Sequence, residues 1–228
     1  MMFSWLEKNP FFFAVGVFIV IAFAGLIEIV PDFAQQSRPV AGAKPYDLLK
    51  LAGRQVYIKD SCNACHSQLI RPFKSETDRY GMYSLNGEYA YDRPFLWGSK
   101  RTGPDLHRVG NYRTSDWHAN HMWDPTSVVP GSIMPAYKHM FTNVTDLETA
   151  YAEAVTVKKV FNVPYDKDIN GDGKIDVPLG SFEEAKERAL KDALKIAQET
   201  KREDLVQMVK SGKIPEIVSL IAYLNGLK

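Results

Sequence analysis

Cysteine is almost missing from this chain: its 228 residues include two, Cys62 and Cys65, and both fall in the run Cys62-Asn63-Ala64-Cys65-His66. A secreted scaffold stapled by disulfides needs more cysteines at wider spacing, so that class is excluded. Charge bias is missing as well. Lys and Arg total 28 against 27 Asp and Glu, for a formal charge of +1. There is no general basic face to hold nucleic acid and no acidic tail. No region is rich in strand pattern, and no internal repeat is visible. Apolar runs are scarce too, apart from one dense block near the start. What remains predicts a mainly α protein with long loops.

That block, Phe11 to Ile27, carries no charge, and Ile29 and Val30 extend it past Glu28. About 20 residues of helix cross ~30 Å of hydrocarbon, which makes this a transmembrane helix by length. A buried core helix would show a polar stripe. A cleaved leader would have a shorter apolar region, of about 7–15 residues, with small residues close behind it. Here Ala41-Gly42-Ala43 lies too far downstream. The flanking charges orient the helix weakly, with Lys8 before it and Arg38, Lys44 and Lys50 after. After Pro31 a polar connector is expected to about Pro45. The chain thus divides into an anchor with connector, 1–45, and one domain, 46–228.

Within the domain, Tyr46 to Asp60 reads as a helix leading into the cysteines. Residues 67–133 are rich in Pro, Gly, Asn and aromatics and read as ordered loops with short helices. A loop region so long ordinarily binds something. Thr145 and Glu148 read as a capping box opening a helix to about Phe161. Ser181 and Glu184 read as a second one, opening a helix to about Thr200. Along it, Glu184/Arg188 and Glu187/Lys191 read as surface pairs. A last helix is expected over 215–227.

C-x-x-C-H is the attachment sequence of a c-type haem. Two thiols three residues apart reach the two vinyl groups of one macrocycle, and the adjoining His66 then lies under the iron. A redox dithiol and half of a zinc site are the alternatives. Met134, in the loop Ser132-Ile133-Met134-Pro135, is the expected second axial ligand. Its rivals are Met82, Met122, Met140 and the other four histidines, which read as surface or interface residues. His/Met ligation closes the iron to substrates, and an open position would instead suit a peroxidase.

Three features resemble class I cytochromes c. Gly53 and Tyr57 precede the cysteines, and Leu220 and Tyr223 lie in the last helix; in that fold these helices cross. The segment Arg101 to Gly110 resembles the one whose proline carbonyl accepts from the proximal imidazole, so Pro104 would orient His66. Beyond that, the anchor, CNACHSQLIRPF, RYGMYS, YDRPFLWGSKRTGPDLHRVG and WHANHMWDP…VVPGSIMPAY are together similar to the mono-haem subunit II of cbb3-type cytochrome c oxidase.

That resemblance implies a single-pass subunit of the bacterial inner membrane with its haem domain in the periplasm. Cys62 and Cys65 would hold one covalent haem c, and His66 and Met134 would ligate its iron. It implies an electron relay from a di-haem cytochrome c subunit to a haem–copper catalytic subunit I, where oxygen is reduced. The run Arg93 to Arg101, with Phe95 and Trp97, is then either docking surface or ordinary loop packing. A free-standing membrane cytochrome shuttle is the competing function. Residues 162–213 match the family less well and read as an elaboration. Within them Asp168, Asn170, Asp172 and Asp176 alternate around Gly173 as in a calcium loop, although position 12 is Leu179 rather than Glu. A turn held by Asx hydrogen bonds is the other reading.

Overall fold

The computed structural model describes residues 4–34, 38–98 and 100–228. They form two compact units, Met1–Ser37 and Arg38–Lys228. The first is built on helix α1, Pro10–Ala34. Its span Pro10–Val30 has a mean hydropathy of 2.7 and none of it is buried. Its length and composition fit a membrane anchor. The helix does not stop at Pro31 as expected. A proline this near the end removes one intrahelical hydrogen bond and leaves the preceding turns intact. Residues 35–37 of the expected connector lie outside the described residues.

Among the described residues, the second unit holds six further helices of eight residues or more: α2 Leu48–Lys59, α3 Ser115–Trp123, α4 Leu147–Val160, α5 Phe182–Glu199, α6 Glu203–Lys210 and α7 Glu216–Gly226. Shorter turns fill the span between α2 and α3, as its Pro- and Gly-rich composition predicts. No β-ladder occurs among the described residues; one isolated bridge joins Val144 and Pro215.

The centre of the unit is the crossing of α2 and α7. Gly53 lies against the backbone of Ser219 and the side chain of Tyr223. Tyr223 and Tyr57 have ring centroids 5.6 Å apart, and Tyr46 packs edge-on to Tyr223 at 5.6 Å. Leu220, Ile221 and Ile217 are fully buried beside them. Tyr223 donates its hydroxyl to Gln68 Oε1 at 2.9 Å, which satisfies a polar tip inside the core.

Residues 162–213 pack onto this centre as an integral layer. Ala185, Ala189, Ala193 and Ala197 recur every fourth residue of α5 and are all buried, so α5 lies close against the core. Its start is the expected box: Ser181 Oγ accepts from Glu184 N, and Glu184 Oε2 accepts from Ser181 N at 2.9 Å. Glu184 is thereby committed to the cap. Arg188 donates instead to the carbonyls of Pro178 and Leu179, at 3.0 and 2.8 Å. The other box is corrected. Asp146, not Thr145, caps α4, accepting from Thr149 N at 3.0 Å. Thr145 is drawn inward, where its hydroxyl meets Ser219 Oγ at 2.9 Å.

Candidate haem-binding site

Two segments far apart in sequence assemble this site. The first begins where α2 ends. Ser61 takes a left-handed φ of 55°, reversing the chain into a tight turn over Cys62–Ala64. There His66 N and Cys65 N both donate to Cys62 O, at 2.9 and 3.2 Å, which gathers the two thiols and the imidazole on a few residues. Both cysteines are free; Cys62 is buried and Cys65 exposed.

The second segment, residues 101–107, runs alongside. Gly103 N donates to Cys65 O, and Leu106 N to Ser67 O, each at 2.9 Å. The carbonyl of Pro104 lies 2.8 Å from His66 Nδ1. A carbonyl can only accept, so Nδ1 carries the proton and Nε2 keeps its lone pair. Gly103 is required here, since a Cβ on it would lie 2.3 Å from His66 Cε1. Burial lowers the imidazole pKa, opposed by the Pro104 carbonyl and Asp105.

Burial pushes the Cys62 thiol up to about 12. The geometry bears on the reading of the motif: two unpaired thiols three residues apart are followed by an imidazole whose Nδ1 is held by a carbonyl and whose Nε2 is left free. That arrangement fits attachment of a haem through both cysteines with His66 as an iron ligand. The residues present thus suit the group.

Supports that carry no sequence signature hold this pairing in place. Asp105, almost wholly buried, accepts from Ser67 Oγ, Leu69 N and His107 N at 2.7–2.9 Å. Arg101 donates to Ser67 Oγ and Leu69 O, both at 2.6 Å, and to Glu76 at 2.8 Å. Arg71 reaches Glu76 from the other side. Arg101 is therefore an internal brace and not part of an exposed docking run. Within that run Phe95 stays exposed and stacks on Trp97 at 4.6 Å; residue 99 lies outside the described residues.

The hydrogen bond from Arg101, with help from Arg71, holds Glu76 at about 2 against an ordinary 4.5. A depressed carboxylate stabilises the fold fully above its unfolded pKa, and that stabilisation fades as pH falls through the folded value. Glu76→Gln is therefore expected to melt below wild type at neutral pH, with the gap closing between pH 4.5 and about 2. Melting curves taken across that range check it; a gap independent of pH would refute the linkage.

Met134 is half-buried against the core, its loop pinned by Tyr137 N donating to Met122 O at 2.8 Å. Its rivals are mostly engaged elsewhere. Met140 is fully buried in the core and Met82 is 58% exposed. His139 meets Asp60 at 3.0 Å. His107 and His118 correct the expectation of surface histidines: both are buried, and burial pushes each down to about 4. His107 is held by Ser84 Oγ and by Tyr89 OH, the latter at 3.0 Å.

The calcium-like loop is closed by its own side chains. Asp168 accepts from the N–H groups of Gly171, Asp172 and Gly173 at 2.6–3.2 Å. Asp176 accepts from Ile169 N at 2.7 Å and pairs with the Lys44 ammonium at 2.6 Å. Asn170 Nδ2 donates to Asp176 Oδ1.

A family model described as "Cytochrome C oxidase, mono-heme subunit/FixO" matches residues 3–228, a span that takes in 162–213. No curated protein matches the chain in sequence.

Proposed function

The chain belongs to the cytochrome c oxidase mono-heme subunit family, and from that premise we propose that it is the membrane-anchored electron relay of a cbb3-type oxidase. It takes electrons from a di-haem cytochrome c subunit and passes them to the haem–copper catalytic subunit, where oxygen is reduced. Its domain sits on the periplasmic face of the bacterial inner membrane, held there by α1.

Haem, when bound, supplies a one-electron centre at its iron. The chain's residues supply the rest. Cys62 and Cys65 would hold the macrocycle covalently. His66 offers Nε2 to the iron, its ring oriented by Pro104 O and by the absent side chain of Gly103. Met134 would be the second residue to ligate the iron, and His/Met ligation would make the site a relay rather than a catalyst. Asp105, Arg101 and Glu76 keep the two segments in register and so hold the His66 imidazole in one orientation. The observation that carries this reading is the 2.8 Å contact between His66 Nδ1 and Pro104 O, next to two unpaired cysteines.

Purification of the tagged subunit in mild detergent tests it. Co-purification with a haem–copper subunit, and absorption of one haem c per copy of this chain, are expected. A chain that purifies alone with its haem would favour the free shuttle, and one without covalent haem would overturn the site.

A further inference from the structure

The residue after α2, the turn Lys138–Phe141 and the first turn of α7 bring Asp60, His139 and Glu216 together. One ligand atom from each lies within 4.8 Å of the others. We propose that these three residues bind one divalent transition-metal ion of the Zn2+ class, a site independent of the haem.

The donor set points to that class. Two carboxylates and an imidazole suit zinc and its neighbours, whereas calcium and magnesium take oxygen donors alone. The spacing is close to what the ion needs. Asp60 Oδ1 and His139 Nε2 are 3.0 Å apart, and donors on a zinc tetrahedron with bonds of about 2.0–2.1 Å stand roughly 3.3 Å apart. The carboxylates are held in place. Asp60 and Glu216 side chains are only 14% and 10% exposed. Glu216 N donates to Asn143 O at 3.0 Å, and Asn143 Nδ2 reaches Glu216 Oε2 at 3.3 Å.

Asp60 Oδ2 is buried and has no hydrogen-bond partner. The Lys59 ammonium stands 3.9 Å from it, beyond hydrogen-bonding reach. That ammonium pairs with Glu216 and stands in for a metal's charge. Lys59 is 48% exposed, so it can swing into solvent and yield its place. His139, 45% exposed, forms the mouth through which an ion would enter. Three protein ligands leave a fourth position for water. Asp60 precedes Cys62 by two residues and His139 follows Met134 by five. An ion here therefore ties together the two stretches of chain that carry the haem ligands and fixes both to α7.

The test is calorimetric titration of Zn2+ into the untagged, haem-loaded full chain in detergent after chelator treatment, with parallel melting curves. The expected result is one ion per chain and a higher melting temperature. His139→Ala should abolish both while leaving the haem absorbance unchanged. Lys59→Ala removes the competing charge and should tighten binding by about tenfold. A folding defect cannot mimic that gain, so the two variants together keep the result interpretable. No binding by the wild type, or equal binding by His139→Ala, would overturn the proposal.

Discussion

Gly53→Ala is expected to lower the melting temperature of the full chain by several degrees, although alanine is the better helix former. A Cβ at position 53 would lie 1.8 Å from Ser219 O and 2.5 Å from Ser219 C. Both obstacles are backbone atoms of α7, so no side-chain rotation relieves them. The helices must move apart by more than an ångström. The loss falls on the best-packed part of the unit, where Tyr57, Tyr223, Leu220 and Ile221 meet with almost no exposure. Overpacking of this kind costs about 1–3 kcal/mol, and a backbone obstacle belongs at the upper end. The propensity gain of alanine over glycine offsets roughly 1 kcal/mol. A net loss of about 2 kcal/mol or more corresponds to a fall of roughly 4–8 °C for a domain of this size. Far-ultraviolet circular dichroism measures it. A melting curve within a degree of wild type would mean that α2 and α7 slide freely, contrary to the crossing described.

Met134→Ala has the largest expected effect on the redox chemistry. In the oxidised, haem-loaded protein it is expected to abolish the weak sulfur-to-iron charge-transfer band at the red end of the spectrum. It should also lower the reduction potential by on the order of 0.1 V or more, a fraction of the ~0.8 V over which axial ligands tune haem. The haem should remain attached, because Cys62 and Cys65 lie on a different segment. Persistence of the band would eliminate Met134. Met122 would then be the leading rival: it is buried on α3, next to the hydrogen bond that pins the Met134 loop. Met140, enclosed in the core, and Met82, largely in solvent, would not replace it.

How much of this was legible in the sequence follows from the range of the interactions involved. The apolar anchor, the helix into CNACH, the Ser181–Glu184 box and the last helix depend on residues a few positions apart, and each appears where its pattern predicts. Thr145 shows where local pattern stops deciding. Thr145 and Asp146 are both good caps, and the choice is made by Ser219, 74 positions onward, which draws Thr145 into the core. Arg188 likewise has a helical neighbour of opposite charge, and the fold gives it two carbonyls instead. Residues 162–213 read as an elaboration because the motifs that carry the family resemblance lie outside them. Their alanine stripe shows a layer of the core, and the family match spans them.

The haem motif itself is sequence: two thiols and an imidazole at fixed spacing narrow the group they suit to a few candidates. Everything that prepares those atoms is tertiary. Pro104 lies 38 residues from His66, and only its carbonyl decides which ring nitrogen is left for a metal. Burial raises the pKa of the Cys62 thiol, and burial belongs to the folded unit. Asp60, His139 and Glu216 carry no pattern at all until the helix crossing brings them within 4.8 Å. Spacing along a chain fixes which groups are available. Their protonation, orientation and company depend on desolvation and on contacts between distant segments, and those exist only once the chain has packed.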